Sequence, residues 1–482
     1  MKISVKETDL FLRNVRTRMP FKYGIAVLTG VPHLVMRMTV EVDGRPFIGL
    51  AADNLPPKWF TKNPDQSFQD EVGEMFEVIE SASRLAVESG SVGSVYELWA
   101  AVYAKQKSWA SSKQLPPLLW AFGVSLVERA LIDAFCKATG DSFARAVRRN
   151  TLGLELGDVY EELKGVRPAE ALPSEPLRGL FVRHTVGLAD PLTDDEIPDD
   201  ERADDGLPQS LDACIQTYGL RYFKIKLCGE AGLDLERLRR IAGLVEGAGI
   251  SDYRFTLDGN EQYTEVPPFR SLWEELLRED SIRTFLSRLI VVEQPLRRDV
   301  ALNQNTARDL LDWKEHPPMI IDESDATLNA LPDALEAGYV GTSHKNCKGI
   351  VKGIAAAGLL ANRRKADPDR LYVQTAEDLT NIGPVALQQD LAVIATLGIG
   401  HAERNGHHYF RGLSGFEEPV QQAVLHCHGD LYHRYAATTA VRIEGGSIAI
   451  GSTVDAPFGT GVPLDLSGFV PRSQWRFESL ES

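Results

Sequence analysis

From about residue 178 onward the chain repeats one unit: a short Val/Ile/Leu-rich stretch that ends in polar residues, then a helix-like spacer. The stretches are LRGLFVRHT (177–185), YFKIKL (222–227), YRFTLD (253–258), LIVVEQP (289–295), PMIIDES (318–324), GTSHKN (341–346), LYVQT (371–375) and LGIGHAE (397–403). Eight strands alternating with helices are the grammar of a parallel β/α barrel. The stretch before them reads differently. VPHLVMRMTVEVDGRPFIGLAA (31–52) holds a hairpin signal at Asp43-Gly44. Residues 70–90 and 115–140 carry apolar residues at three-and-four spacing, and each run ends in glycine. The expected fold is α/β: an α+β domain over 1–150, a parallel β/α barrel over 170–415, and a C-terminal segment over 416–482.

A net charge of −16 disfavours nucleic acid or an anionic membrane as partner. No apolar run is long enough to span a bilayer, and MKISVKETDLFLRN lacks the apolar core of a signal peptide. The five cysteines are scattered and never spaced CxxC, so a reduced, cytoplasmic protein is expected. The acidic run ADPLTDDEIPDDERADDG (189–206) reads as a solvated loop. His426, Cys427, His428 and His433 sit close in sequence, but the spacing of Val420, Val424 and Leu431 is that of a packed helix, which outweighs a metal site.

Polar residues recur at strand C-terminal ends, where barrels of this kind place their chemistry. Lys224 and Lys226 end the second strand, Asp258 the third, Glu293 the fourth, Asp322-Glu323 the fifth and His344-Lys345 the sixth. Asn260, two residues after Asp258, is a candidate substrate contact. Carboxylates converging from consecutive strands repel one another unless a cation lies between them. Oxygen ligands without a nearby cysteine favour a hard ion, Mg²⁺ over Zn²⁺. Unrelated salt bridges to Arg254 or Arg297 would also account for them. Strands two and six oppose each other in a ring of eight, so Lys226 and Lys345 would flank a carboxylate substrate held on the metal. One lysine could remove its α-proton while the other acts on the opposite face. Lysines 224 and 226 share a strand face. A second ammonium there disfavours the charged form of its neighbour, so Lys224 is expected to tune Lys226 and to neutralise the carboxylates. Two lysines reaching out to solvent are the plainer account.

KIKL, LDGN, VEQP, IDES and HKNCKGI, in that order, resemble the enolase superfamily in its muconate-lactonizing and dipeptide-epimerase branch, within the mandelate racemase/muconate lactonizing enzyme family. PFKYG (20–24) is similar to that family's substrate-capping loop, ALIDAFCKATG (130–140) to the helix closing its N-terminal domain, and DAPFGTGVPLD (455–465) to its tail. The resemblance implies a modified TIM barrel, (β/α)7β, with the α+β domain over 1–150 as its cap and the segment over 416–482 returning to that capping domain. The resemblance implies Asp258, Glu293 and Asp322 as Mg²⁺ ligands, choosing Asp322 over Glu323, with Lys226 and Lys345 as the acid/base pair and Tyr23 as a substrate contact. It implies abstraction of a proton α to a carboxylate, giving a metal-stabilised enediolate, by a racemase, epimerase, cycloisomerase or dehydratase that takes a small carboxylate and forms a homo-oligomer. Lysine bases with Mg²⁺ are an attested pattern of this superfamily. Strand seven (LYVQTAEDLTN) lacks the histidine base of mandelate racemase-type members, and strand eight (HAERNG) lacks the DxD that holds a dipeptide ammonium. Glu403 is left as either a substrate contact or a salt bridge. A Schiff-base lysine aldolase and a non-catalytic binding barrel are the competing readings.

Overall fold

The computed structural model describes residues 1–435 and 438–480; of the segment expected at 416–482, residues 436, 437, 481 and 482 lie outside the described residues. Strands β1 (Ile3–Tyr23), β2 (Ala26–Val42) and β3 (Arg45–Asn54) form an antiparallel sheet. The β2–β3 turn is Asp43-Gly44, with φ of 48° and 80°. Two left-handed residues match the right-handed twist of the strands, which is why DG marks a tight hairpin. Helices α1 (Phe68–Glu88), α2 (Val95–Ser112) and α3 (Pro117–Thr139) follow. The first two start at serines, Ser67 and Ser94, whose side chains accept from Asp70 N and Glu97 N. Helix α3 opens on proline and ends at Gly140, φ 67°.

Helix α3 is buried almost all round because it lies between the sheet and the rest of the molecule. Gly49 lets β3 approach it, since a Cβ there would meet Ala130 O at 1.8 Å. Gly123 does the same for α1, where a Cβ would meet Val78 O at 2.2 Å. On the other side of α3, Glu128 accepts from Ile350 N and Val351 N at 2.9 and 2.6 Å, filling the open donors at the start of the helix Ile350–Ala366.

The barrel strands are β4 (Gly179–Val186), β5 (Tyr222–Lys226), β6 (Arg254–Asp258), β7 (Leu289–Glu293), β8 (Met319–Ile321), β9 (Gly341–His344), β10 (Val373–Ala376) and β11 (His401–Glu403). Each pairs in parallel with the next, and β11 pairs with β4, so the ring closes. All eight expected strands are present. A hairpin of β12 (Tyr432–Tyr435) and β13 (Thr438–Val441) follows, and β14 (Ser447–Ala449) adds to β4 antiparallel. Strand β15 (Val470–Pro471) pairs with β1 at Leu12 and Phe11, and Trp475 donates to Asn14 Oδ1 at 2.9 Å.

The acidic run is not wholly solvated. Leu192 and Ile197 are buried, and Asp205 takes a bidentate pair of bonds from Arg18 of β1 at 2.6 and 2.8 Å. In the helix Glu418–Cys427, His426 is exposed, while His428 pairs with Ser452 Oγ at 2.9 Å, so the His/Cys run there does not converge. All five cysteines are free thiols. Among the described residues no helix is long and apolar enough to cross a membrane.

Candidate active site

Strand β5 sends Lys224 and Lys226 to the same side, as alternation requires. Both are buried, at 1% and 6% exposure, which removes the solvent-reaching account of them. They are not left to repel each other. Asp258 Oδ2 lies between them, 2.6 Å from Lys226 Nζ and 3.0 Å from Lys224 Nζ. Lys224 also bonds Glu293 (2.8 Å), Glu377 (2.7 Å) and Glu403 (2.9 Å). Burial alone would lower its pKa; these four carboxylates outweigh that and hold it well above the ordinary lysine value. Across the ring Lys345 bonds Asp322 Oδ2 at 2.7 Å and Glu377 Oε2 at 2.6 Å. It too is held charged against burial by those carboxylates.

Asp322 faces this cluster and accepts from Lys345, Lys348 (2.7 Å) and Ser343 Oγ (2.5 Å). Burial opposes its charge, but Lys345 and Lys348 keep its pKa below the ordinary range. Glu323, its neighbour, is pushed up to about 7 by burial and by Asp322. The turn is set by Gln294, whose Oε1 accepts from Asp322 N (2.8 Å) and Ser324 N (3.2 Å). Asn260 sits at φ 41°, a conformation asparagine tolerates, and its N–H donates to Asp258 Oδ1 at 2.9 Å. Among the described residues its buried Oδ1 has no hydrogen-bond partner.

These groups line a cleft with about 430 Å³ of empty space. Lys224, Lys226, Asp258, Asn260, Asp322, Lys345 and Glu403 form its polar floor; Phe21, Tyr23, Trp59 and Leu379 form an apolar cover. Lys345 Nζ lies 5.3 Å from the Trp59 ring centre. Trp59 is placed by Arg298 of the barrel, which donates to Trp59 O (3.0 Å) and Phe60 O (2.9 Å) while paired with Glu261. Tyr23 donates to Pro57 O at 2.8 Å, closing the β1–β2 turn onto the same loop. Glu403 lines the cleft, yet its oxygens are taken by Lys224, Thr185 Oγ1 (2.5 Å) and Asn405 Nδ2 (2.9 Å).

No family model matches the sequence, nor does any curated protein. Solved structures do. One is a mandelate racemase/muconate lactonizing protein from Herpetosiphon aurantiacus: 15% identity and a TM-score of 0.57 over 96% of this chain and 99% of that one. Another is a muconate lactonizing enzyme from Pseudomonas fluorescens complexed with muconolactone, at 14% identity, TM-score 0.55, and 96% and 97% coverage. A third is a dipeptide epimerase from Cytophaga hutchinsonii complexed with Mg and D-Ala-L-Val, at 14% identity, TM-score 0.56, and 97% and 99% coverage. The fold is that of the mandelate racemase/muconate lactonizing enzymes.

On that fold, this chain carries charged groups that sequence reasoning passed over. Glu377, at the end of β10, bridges Arg183 (2.7 Å), Lys224 and Lys345. It directly follows β10, so the strand-end rule that marks Asp258 and Glu293 marks it as well. Arg183 and Lys348 had no such signal, because an arginine within a strand and a lysine on a helical turn are ordinary in sequence. Five carboxylates (Asp258, Glu293, Asp322, Glu377, Glu403) thus meet five cations (Arg183, Lys224, Lys226, Lys345, Lys348). The balance is uneven locally. Burial, then Glu377, push Glu293 well above the ordinary carboxyl range, and among the described residues its buried Oε2 has no hydrogen-bond partner. Oxygens of Glu293, Asp322 and Glu377 lie within 4.8 Å of one another; Asp258, expected as the third ligand, is not in that group and bonds Lys226 and Lys224 instead. An orphaned carboxylate oxygen among other carboxylates fits a divalent cation.

Proposed function

We propose that this protein is a Mg²⁺-dependent isomerase of the enolase superfamily that removes the proton α to the carboxylate of a small acid. The observation that carries the reading is the pair Lys226 and Lys345, which reach one covered cleft from opposite strands of the ring with buried carboxylates between them. Asp258, Glu293 and Asp322, from three consecutive strands, would hold the ion. When bound, Mg²⁺ supplies positive charge to the carboxylate oxygens on which negative charge builds as the α-proton leaves.

The remaining work falls to the chain itself. Lys226, in its neutral form, takes the α-proton from one face, and Lys345 delivers a proton to the other. Lys224, fixed by four carboxylates, stays a cation and balances charge instead of moving a proton. The held charge of Lys224 weighs against that residue as the amine of an imine-forming aldolase, which must be neutral. Phe21, Tyr23, Trp59 and Leu379 exclude water and suit an apolar flank on the acid. With Glu403 engaged by Lys224 and Thr185, no free carboxylate at the end of β11 is offered to a substrate ammonium, which favours an acid without a free amine. The loop through Tyr23 and the domain bearing it act as the cap, and residues 1–150, 170–415 and 416–482 as cap, barrel and returning tail.

Acids incubated with the protein in D₂O test the reading. Wild-type protein exchanges the α-proton of both enantiomers of a true substrate, and excess chelator stops it. Lys226→Ala loses exchange on the face toward β5, and Lys345→Ala on the face toward β9, each costing turnover about 10²–10⁴-fold. Exchange on both faces in Lys226→Ala, or undiminished exchange in chelator, overturns the assignment.

A further inference from the structure

On β4 the side chains alternate. Arg183 and Thr185 point into the barrel, to Glu377 and Glu403, so His184 points out of it. There it meets Cys214, from the helix Leu211–Tyr218, and His408, from the short helix Gly406–Tyr409 that follows β11. The three are 2%, 0% and 3% exposed. One ligand atom from each lies within 4.8 Å of the others.

We propose that His184, Cys214 and His408 form a second metal site, built for zinc or a similar borderline transition ion and separate from the carboxylate site in the barrel mouth. A thiolate and two imidazoles are the donors such ions prefer, and hard Mg²⁺ does not. The spacing agrees. Tetrahedral zinc, with Zn–S about 2.3 Å and Zn–N about 2.0–2.1 Å, sets sulfur and nitrogen about 3.6 Å apart. Cys214 Sγ and His408 Nδ1 are 3.6 Å apart. The neighbours match as well. A metal-bound imidazole usually gives its other nitrogen to a partner that fixes the tautomer. His184 Nδ1 is 3.1 Å from His407 Nε2, which leaves the His184 Nε2 lone pair for a metal. His408 turns Nδ1 to Cys214, while its Nε2 lies 4.0 Å from Asp190 Oδ2, beyond hydrogen-bond distance. Burial keeps His184 and His408 unprotonated, the form that ligates; the Cys214 thiol, pushed up by burial, would lose its proton to the metal.

The ion would join three elements distant in sequence and steady Tyr409, which stacks on Phe21 of the cleft at 4.1 Å. The test adds Co²⁺ to metal-stripped full-length protein in saturating Mg²⁺. One equivalent should produce a thiolate-to-cobalt charge-transfer band and strong tetrahedral visible bands. Cys214→Ser should lose the charge-transfer band, His408→Gln should weaken Co²⁺ binding at least tenfold, and Cys427→Ser, which alters a thiol elsewhere, should keep the band. No thiolate band in the wild-type protein, or a band that survives Cys214→Ser, overturns the proposal. The wild-type measurement decides even if a variant does not fold.

Discussion

Glu377 is the side chain that joins Lys345 electrically to Lys224, the fixed cation beside Lys226. Its Oε2 contacts both Lys224 and Lys345, and its Oε1 contacts Arg183. Removing that charge without changing shape should act on the lysines before it acts on the metal. Glu377→Gln is expected to keep Mg²⁺ affinity, measured by titration, while Glu293→Gln loses it. Because Glu377 holds the Lys345 pKa up, its loss should move the fall of kcat/KM at high pH, where the proton donor is lost, to lower pH. An unmoved profile would remove Glu377 from the acid/base apparatus. A second residue prediction concerns stability. His33 is buried beside Asn54, and burial depresses its pKa from 6.5 to about 4 despite that bond. Between those values the unfolded chain binds a proton that the folded chain refuses. Stability therefore falls as pH drops from 6.5 toward 4, by about 3 kcal/mol from this group. His33→Gln, which can still donate to Asn54 Oδ1, should flatten that part of a denaturation-versus-pH curve; an unchanged slope would refute it. The strand-end carboxylates and lysines were legible because alternation and strand polarity fix where such side chains go. Their partners were not, since the contacts of Glu377, Arg183 and Lys348 depend on ring closure between strands far apart in sequence.

At the scale of elements, the barrel strands and the long helices were the readable part. Apolar run length and the three-and-four period marked them, and Asp43-Gly44 marked the hairpin. What sequence could not show was how α3 is wedged between sheet and barrel. Gly123 lies mid-helix, where glycine costs helix stability, and the reason emerges only from the crossing: Val78 O of α1 occupies the space a Cβ would need. Gly123→Ala should therefore destabilise in spite of its better helix propensity, by about 1–3 kcal/mol. Urea unfolding would measure it, and a neutral or stabilising result would mean that α1 moves away freely. The acidic run shows the converse limit. Its charge suggested solvent alone, but Leu192, Ile197 and the Arg18–Asp205 pair anchor it, and a paired buried aspartate looks like any other in sequence.

For the whole molecule, the feature with the widest reach is the short strand β15. Asn14 and Ser479 are bonded across 465 positions of the chain, and β15 lies beside β1 a few residues away. Contacts of such separation are the slowest to form, because the loop between them must be closed before they contribute. The N-terminal sheet can be assembled early, yet its β1 edge stays bare at Phe11 and Leu12 until residues 470–471 have been made. An unpaired edge strand is a template for another chain. A chain ending at residue 467 should accordingly form larger assemblies than the full chain at equal concentration, seen by light scattering, even with the barrel folded. If its scattering matches that of the full chain, β1 is protected by other means. Otherwise β15 acts as a seal that closes last, and the interval before it closes is when a newly made copy is most exposed to its neighbours.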